Sequence, residues 1–227
     1  MTLGMIILTV MPFCLKESGF GGEVPLFPLA AWQGVGLQYG DQLMLRNESE
    51  ATGALLLKHN RLDTIYRYDP RRRTLSAESD AVWRGAQTPI AECGKQGYPT
   101  PSLLRIDTQS HRLFAGERVI QAAGRTALKL AAAPSGKFTA VLSASGEAGT
   151  SVLPSSGGSG ASGQYYHQIM SLPDAKALGQ PVRLPVQRSY DSLIPCWSAD
   201  EKYIVYHQVT FNYLLVVQAD PSSFSQP

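Results

Sequence analysis

Short apolar runs rich in Val, Ile, Leu and aromatic residues recur along the chain, and Gly, Pro, Asp or Asn closes most of them. Runs of this length bounded by turn residues read as β-strands. The pattern predicts strands over residues 42–45, 64–69, 74–77, 102–107, 112–115, 127–131, 138–142, 165–172, 192–194, 203–208 and 212–218. Residues 54–57 fit a strand or a short helical turn, and 181–186 are extended. Residues 19–40 are rich in Gly and Pro and read as loop with one short strand; this stretch carries Trp32. Asp69-Pro70, Pro134-Ser135-Gly136 and Pro173-Asp174 are turn signals. No long amphipathic helix is evident, so the pattern points to an all-β chain.

The chain also echoes itself. Ile65-Tyr66-Arg67-Tyr68-Asp69, ending at Leu75, matches Leu103-Leu104-Arg105-Ile106-Asp107, ending at Leu113. Ala133-Pro134-Ser135-Gly136-Lys137-Phe138 matches Ser198-Ala199-Asp200-Glu201-Lys202-Tyr203. Placed in order, the pieces give a strand, a tight polar turn, an outgoing strand, a returning strand that ends near Asp, and a weak outer strand. The 38 residues from Ile65 to Leu103 match one such unit. The 65 from Lys137 to Lys202 exceed it, with a Ser/Gly-rich tract at 149–163 lying between. A four-stranded sheet used repeatedly needs neighbours on both faces, and radial stacking supplies them.

The stretch Pro195-Cys196-Trp197-Ser198-Ala199-Asp200-Glu201-Lys202-Tyr203-Ile204-Val205-Tyr206 resembles the blade motif of TolB-type propellers and of the propeller domains of prolyl-oligopeptidase-like enzymes. That motif runs Pro-x-Trp-Ser-Pro-Asp-Gly-Lys and then a hydrophobic strand. Here Ala199 replaces the second Pro and Glu201 the Gly; the copy at Pro134-Ser135-Gly136-Lys137 keeps those two but has Ala132 in place of Trp. WD-repeat and kelch propellers are less similar. The resemblance implies a β-propeller, or part of one, of about four antiparallel four-stranded blades. Its motif is structural: Trp197 wedges between blades, and Gly136 permits a left-handed backbone in the turn. The last unit lacks an outer strand, and residues 5–10 are the expected N-terminal strand that completes it.

Composition narrows the function classes. The apolar fraction of 44% suits a globular chain, and the 227 residues can bury roughly 70–75% of their unfolded surface. They fit a single propeller-like domain with a flexible loop at 149–163 and a frayed tail at 222–227. The net charge of +2 is too small to imply nucleic acid or an anionic membrane. Charge concentrates locally at Arg71, Arg72 and Arg73, with Lys58, His59, Arg61 and Arg67 nearby in sequence. This reads either as a solvated turn or as a patch for an acidic partner. Only Tyr66 and Tyr68 are close enough to act as stacking aromatics.

Cys14, Cys93 and Cys196 form no C-x-x-C pair, so zinc-knuckle and thioredoxin-like sites are not encoded. Cys196 reads as a buried inert thiol, and one bridge plus a free thiol stays open. The apolar residues 5–11 fit a strand or a signal or anchor segment, and an intracellular location is slightly favoured. Asn47-Glu48-Ser49 is a sequon that matters only in a secreted chain.

No linear motif encodes catalysis. There is no G-x-S-x-G elbow, so the catalytic half of the resembling enzymes has no counterpart here. Gly158, Gly160 and Gly163 match dinucleotide spacing but lack the flanking strand and helix, so no cofactor is expected. His59, His111, His167 and His207 are scattered, with no metal-ligand spacing. Asp69, Asp107 and Asp174 recur at strand ends, where such residues bind turn amides; the alternative is a ring of carboxylates around a cation. The expected function is a non-catalytic scaffold that binds a protein or peptide partner through loops on one face. The alternatives are an enzyme or carbohydrate-binding domain with its site at the axis, or a propeller fragment of a larger hydrolase.

Overall fold

The computed structural model describes residues 24–32, 43–93, 104–107, 109–120, 124–145, 164–187, 193–208 and 212–219. Its strands are β1 (Leu26–Pro28), β2 (Leu43–Asn47), β3 (Leu55–His59), β4 (Ile65–Asp69), β5 (Thr74–Glu78), β6 (Ile90–Glu92), β7 (Leu104–Ile106), β8 (Leu113–Ala115), β9 (Arg118–Val119), β10 (Arg125–Ala132), β11 (Phe138–Ser145), β12 (Gln164–Ser171), β13 (Lys176–Gln187), β14 (Leu193–Trp197), β15 (Tyr203–Gln208) and β16 (Tyr213–Gln218). One short helix, α1 (Asp80–Gly85), follows β5, and a single 3-10 turn covers Ala30–Trp32. The all-β expectation holds.

The strands form four sheets with antiparallel pairing throughout. In strand order, sheet I is β5-β4-β3-β2-β6, sheet II is β7-β8-β9, sheet III is β10-β11-β12-β13, and sheet IV is β14-β15-β16-β1. Sheet IV shows why its strands read as continuous apolar runs. Val205, Leu214 and Val216 pack with Leu45, Leu57 and Tyr66 of sheet I. Their neighbours Ile204, Tyr206, Leu215 and Val217 pack with Ala140, Leu142 and Ile169 of sheet III. With a side-chain period of two, a strand buried on both faces must be apolar at every position. Sheet III likewise turns Val141 and Met170 toward Leu104 and Leu113 of sheet II. The described cores thus join sheet I to IV, IV to III, and III to II.

Sheet I is covered differently on its second face. Leu55 and Leu57 point into the core shared with sheet IV, whereas Leu56 and Ile65 meet Trp83 and Ala86 at α1. Residues 81–83 lie within α1. Trp83 has to reach back over sheet I, and one helical turn after β5 achieves this.

Several finer expectations are revised. The strand that completes sheet IV is β1, paired as Leu26 with Leu215 and Pro28 with Tyr213; residues 5–10 lie outside the described residues. So do the tract at 149–163 with its glycine motif, and the tail at 222–227. The 38-residue echo marks equivalent hairpins, not equivalent sheets. β4–β5 is the outer hairpin of sheet I, whereas β7–β8 has β9 beyond it. Sheet II has three strands among the described residues.

Two cysteines are oxidised. Cys93, just after β6, is bridged to Cys196 in β14, so sheets I and IV are cross-linked. Both residues are buried. This corrects the expectation of an inert thiol at Cys196 and selects the alternative of one bridge with Cys14 outside it. Asn47 of the sequon is buried within β2, which leaves no room for a glycan on the folded chain.

Candidate partner-binding site

The chain builds a local aspartate turn in two places. Asp69 Oδ1 accepts the backbone N–H groups of Arg71 at 2.9 Å and Arg72 at 3.2 Å. Asp107 Oδ1 accepts those of Gln109 at 3.2 Å and Ser110 at 2.6 Å. Four residues after each aspartate the backbone is left-handed, with φ 53° at Arg73 and 51° at His111. Such side-chain bonds to the following amides are the reason Asp starts turns. They also favour the ionised form. The Arg72 amide first, then that of Arg71 and the nearby guanidinium groups, hold Asp69 below the usual carboxylate range. Asp107 is lowered by the Ser110 hydroxyl and then by the Ser110 amide. These two aspartates serve their own turns. Asp174 is exposed in the turn between β12 and β13.

The first of these turns carries the cationic triplet. Arg71, Arg72 and Arg73 are exposed at the tip of the β4–β5 hairpin. None of the three makes an ion pair among the described residues. The other cations of the expected cluster are dispersed. Arg67 donates to Glu48 in a fork, Nε to Oε1 at 3.0 Å and Nη2 to Oε2 at 2.9 Å. That bond lowers the Glu48 pKa and raises the Arg67 pKa. Lys58 pairs with Asp80 at 2.7 Å, and Arg84 shares the same carboxylate at 2.9 Å. Lys58 and His59 lie at the far end of β3 from the turn, as the pairing of Lys58 with Ile65 shows. His59 is buried. Arg46 donates to the carbonyls of Thr88 and Trp83. Sheet I therefore holds Arg46, Lys58 and Arg67 in hydrogen bonds and ion pairs of its own and presents Arg71, Arg72 and Arg73 to solvent, while Arg84 on α1 pairs with Asp80 with its side chain still exposed.

Neither of the aromatics beside the triplet in sequence forms a stacking platform. Tyr66 and Tyr68 are buried in the core between sheets I and IV. The Tyr66 hydroxyl accepts the Ala31 N–H at 2.8 Å. Tyr68 packs edge-on against Phe27 and Tyr203, and burial pushes its hydroxyl up to about 12.

The histidines serve packing. His167 and Tyr206 hydrogen-bond inside the seam between sheets III and IV. His59 and His207 flank Trp32 in the seam between sheets I and IV, with ring centroids 5.5 and 5.7 Å away. His111 sits in the Asp107 turn. Among the described residues no group of three or more His, Cys, Asp or Glu could hold a metal ion. A cavity of ≈ 20 Å³ between sheets II and III, lined by Leu113, Arg125, Ser143, Gln168 and Met170, has room for about one water molecule. It is too small for a substrate.

Sequence reasoning missed the Trp32 cluster and the inter-sheet pairing of Ser135 with Glu201. The left-handed positions gave the one available signal for the second, since Glu201 occupies the place that Gly136 holds in the matching turn. No helix among the described residues is long and apolar enough to cross a membrane. No protein-family model, curated protein or solved structure matches this chain.

Proposed function

We propose that the chain is a propeller-like scaffold that docks an acidic protein or peptide segment on the β4–β5 turn. The carrying observation is the contrast within sheet I. Arg46, Lys58 and Arg67 are engaged internally, while Arg71, Arg72 and Arg73 stand exposed on a backbone fixed by Asp69. A preformed turn loses little entropy on binding, and guanidinium groups match carboxylates in fork geometry. Loops held by a rigid framework are the usual place for such contacts. The burial of Tyr66 and Tyr68, the aromatics nearest the triplet in sequence, favours a carboxylate-rich peptide over single-stranded nucleic acid.

The propeller part of this reading draws on the packing of Trp197. Its ring is fully buried between sheets III and IV, and its Nε1 donates to the Ala131 carbonyl at 2.8 Å. That is the wedge role the TolB-type resemblance assigns to it.

The experiment is titration of a fluorescent poly-glutamate peptide against the full chain at several salt concentrations. Reversing charge at Arg71, Arg72 and Arg73 together is expected to weaken binding at least about tenfold, whereas Arg118→Glu on sheet II leaves it unchanged. Equal binding by the triple variant would remove the turn from any docking role.

A further inference from the structure

Three hairpin turns from three different sheets share one end of the molecule. Tyr68 stands near the end of β4, just before the β4–β5 turn, and Tyr203 opens β15, just after the β14–β15 turn. Their rings meet edge-on with centroids 6.2 Å apart, so these two turns are neighbours across the seam of sheets I and IV. After burial, the influences on the Tyr68 hydroxyl are Tyr203 and then Arg73, so Arg73 lies close to this contact. On its other side the β14–β15 turn is tied to the β10–β11 turn, because Glu201 accepts the Ser135 N–H and hydroxyl. The line of turns runs from sheet I over sheet IV to sheet III.

All three turns place a cation by one device. A side-chain oxygen accepts the backbone N–H two residues on, and the residue so held is basic. Asp69 Oδ1 holds Arg71 at 2.9 Å, Asp200 Oδ1 holds Lys202 at 3.2 Å, and Ser135 Oγ holds Lys137 at 3.2 Å. On sheet II the same device holds Gln109 after Asp107. The acids of the line are bonded within it: Asp69 to the amides of its own turn, Asp200 also to the Ser198 hydroxyl at 2.6 Å, and Glu201 to Ser135. Arg71, Arg72, Arg73, Lys202 and Lys137 are exposed. Glu50 and Asp174, exposed acids at the same end, belong to the β2–β3 and β12–β13 turns.

We infer that the partner is an extended acidic segment that crosses all three turns, from the Arg71–Arg73 triplet past Lys202 to Lys137. The inference rests on the reading of the β4–β5 turn as the docking point for an acidic segment, and adds its length and course. Sheets packed face to face lie about 10 Å apart, so the step from sheet I to sheet III is about 20 Å, the reach of about six or seven extended residues. Cations held on separate turns act on one ligand as linked weak sites, and a segment long enough to touch them all binds more tightly than one that touches the first alone. Turns whose backbones are already fixed lose little freedom on binding.

The test is titration of the full chain with fluorescent peptides of three and nine glutamates at low salt. The longer peptide is expected to bind at least about tenfold more tightly. The Lys137→Gln, Lys202→Gln double variant is expected to remove most of that gain and to leave the shorter peptide unchanged. Both lysines are exposed on turns, so the core is untouched. A charge-matched control, Arg84→Gln with Arg118→Gln, is expected to keep the gain. A gain that survives in the lysine variant overturns the inference, and so does an equal loss in the control. Loss of binding by both peptides on charge reversal at Arg71, Arg72 and Arg73 would then leave the β4–β5 turn standing as a docking point by itself. Peptides indifferent to that reversal sink the underlying reading and this inference together.

Discussion

Glu201 holds Ser135 across the seam between sheets III and IV: its two carboxylate oxygens accept the Ser135 backbone N–H and hydroxyl. The two residues sit in turns built alike. Gly136 N–H bonds the Ala133 carbonyl at 2.9 Å, and Glu201 N–H bonds the Ser198 carbonyl at 3.0 Å. Both positions are left-handed, with φ 70° at Gly136 and 58° at Glu201. A glycine adopts this conformation freely, and a glutamate does so at a cost. The clamp on Ser135 offsets that cost.

Two substitutions separate the strain from the clamp. Glu201→Ala keeps the strain and loses both hydrogen bonds, and is expected to destabilise by about 1 kcal/mol. Glu201→Gly loses the same bonds but relieves the backbone, and is expected to be more stable than the Ala variant by about 1 kcal/mol. Urea unfolding of the three proteins orders them. An Ala variant as stable as the Gly variant would remove backbone strain from the account.

Trp197 separates packing from hydrogen bonding. Its partner, the Ala131 carbonyl, also accepts the Thr139 hydroxyl at 3.2 Å. Trp197→Phe therefore leaves no orphaned acceptor and is expected to cost about 1–2 kcal/mol. Trp197→Ala opens a cavity between the sheets and costs about 3–5 kcal/mol. Thermal or urea unfolding measures both.

Reduction of the bridge tests the cross-link. Cys93 and Cys196 are separated by 103 residues, and closing a loop of that size constrains the unfolded chain. The paired Cys93→Ser and Cys196→Ser variant is expected to lose about 2–4 kcal/mol. Thiol titration of the denatured, unreduced chain should find one free thiol among the three cysteines. Because such bridges persist in oxidising compartments, material made in one is expected to show that stoichiometry, and three free thiols there would count against the bridge.

Stability should fall with acid well before the carboxylates titrate. His207 and His167 are pushed down by burial to about 4 and about 3. The unfolded chain, with histidines near about 6.5, binds more protons below that pH. The stability is present in full above it and is lost as pH falls toward 3. Asp69, Asp107 and Glu48 are also lowered, so their contribution is present above the ordinary carboxylate range and goes only below it. The His167→Phe, His207→Phe double variant is expected to flatten the profile between about pH 6.5 and 4. A slope there equal to that of the parent would place the acid sensitivity elsewhere.

The legibility of the sequence followed element size and burial. β4, β12, β15 and β16 were readable because each is an apolar run ended by turn residues and packed on at least one face. α1 was not, since it spans six residues and Ser79 makes no side-chain cap bond. β6 and β9, with three and two residues, are too short to carry a period. The aspartate turns were legible because an Asp bonded to amides two and three residues on is local chemistry. The Cys93–Cys196 pair, the Ser135–Glu201 clamp and the three rings around Trp32 join residues far apart in sequence, and no local pattern announces them.

The place of β1 in sheet IV sets an order of assembly. Leu26, Phe27 and Pro28 leave the ribosome early, yet the strand they pair with begins at Tyr213. During synthesis they wait while sheets I, II and III acquire their own strands, and they dock only after β16 has emerged. Completion of sheet IV is thus a late event, and among the described strands it fastens the first-made to the last-made.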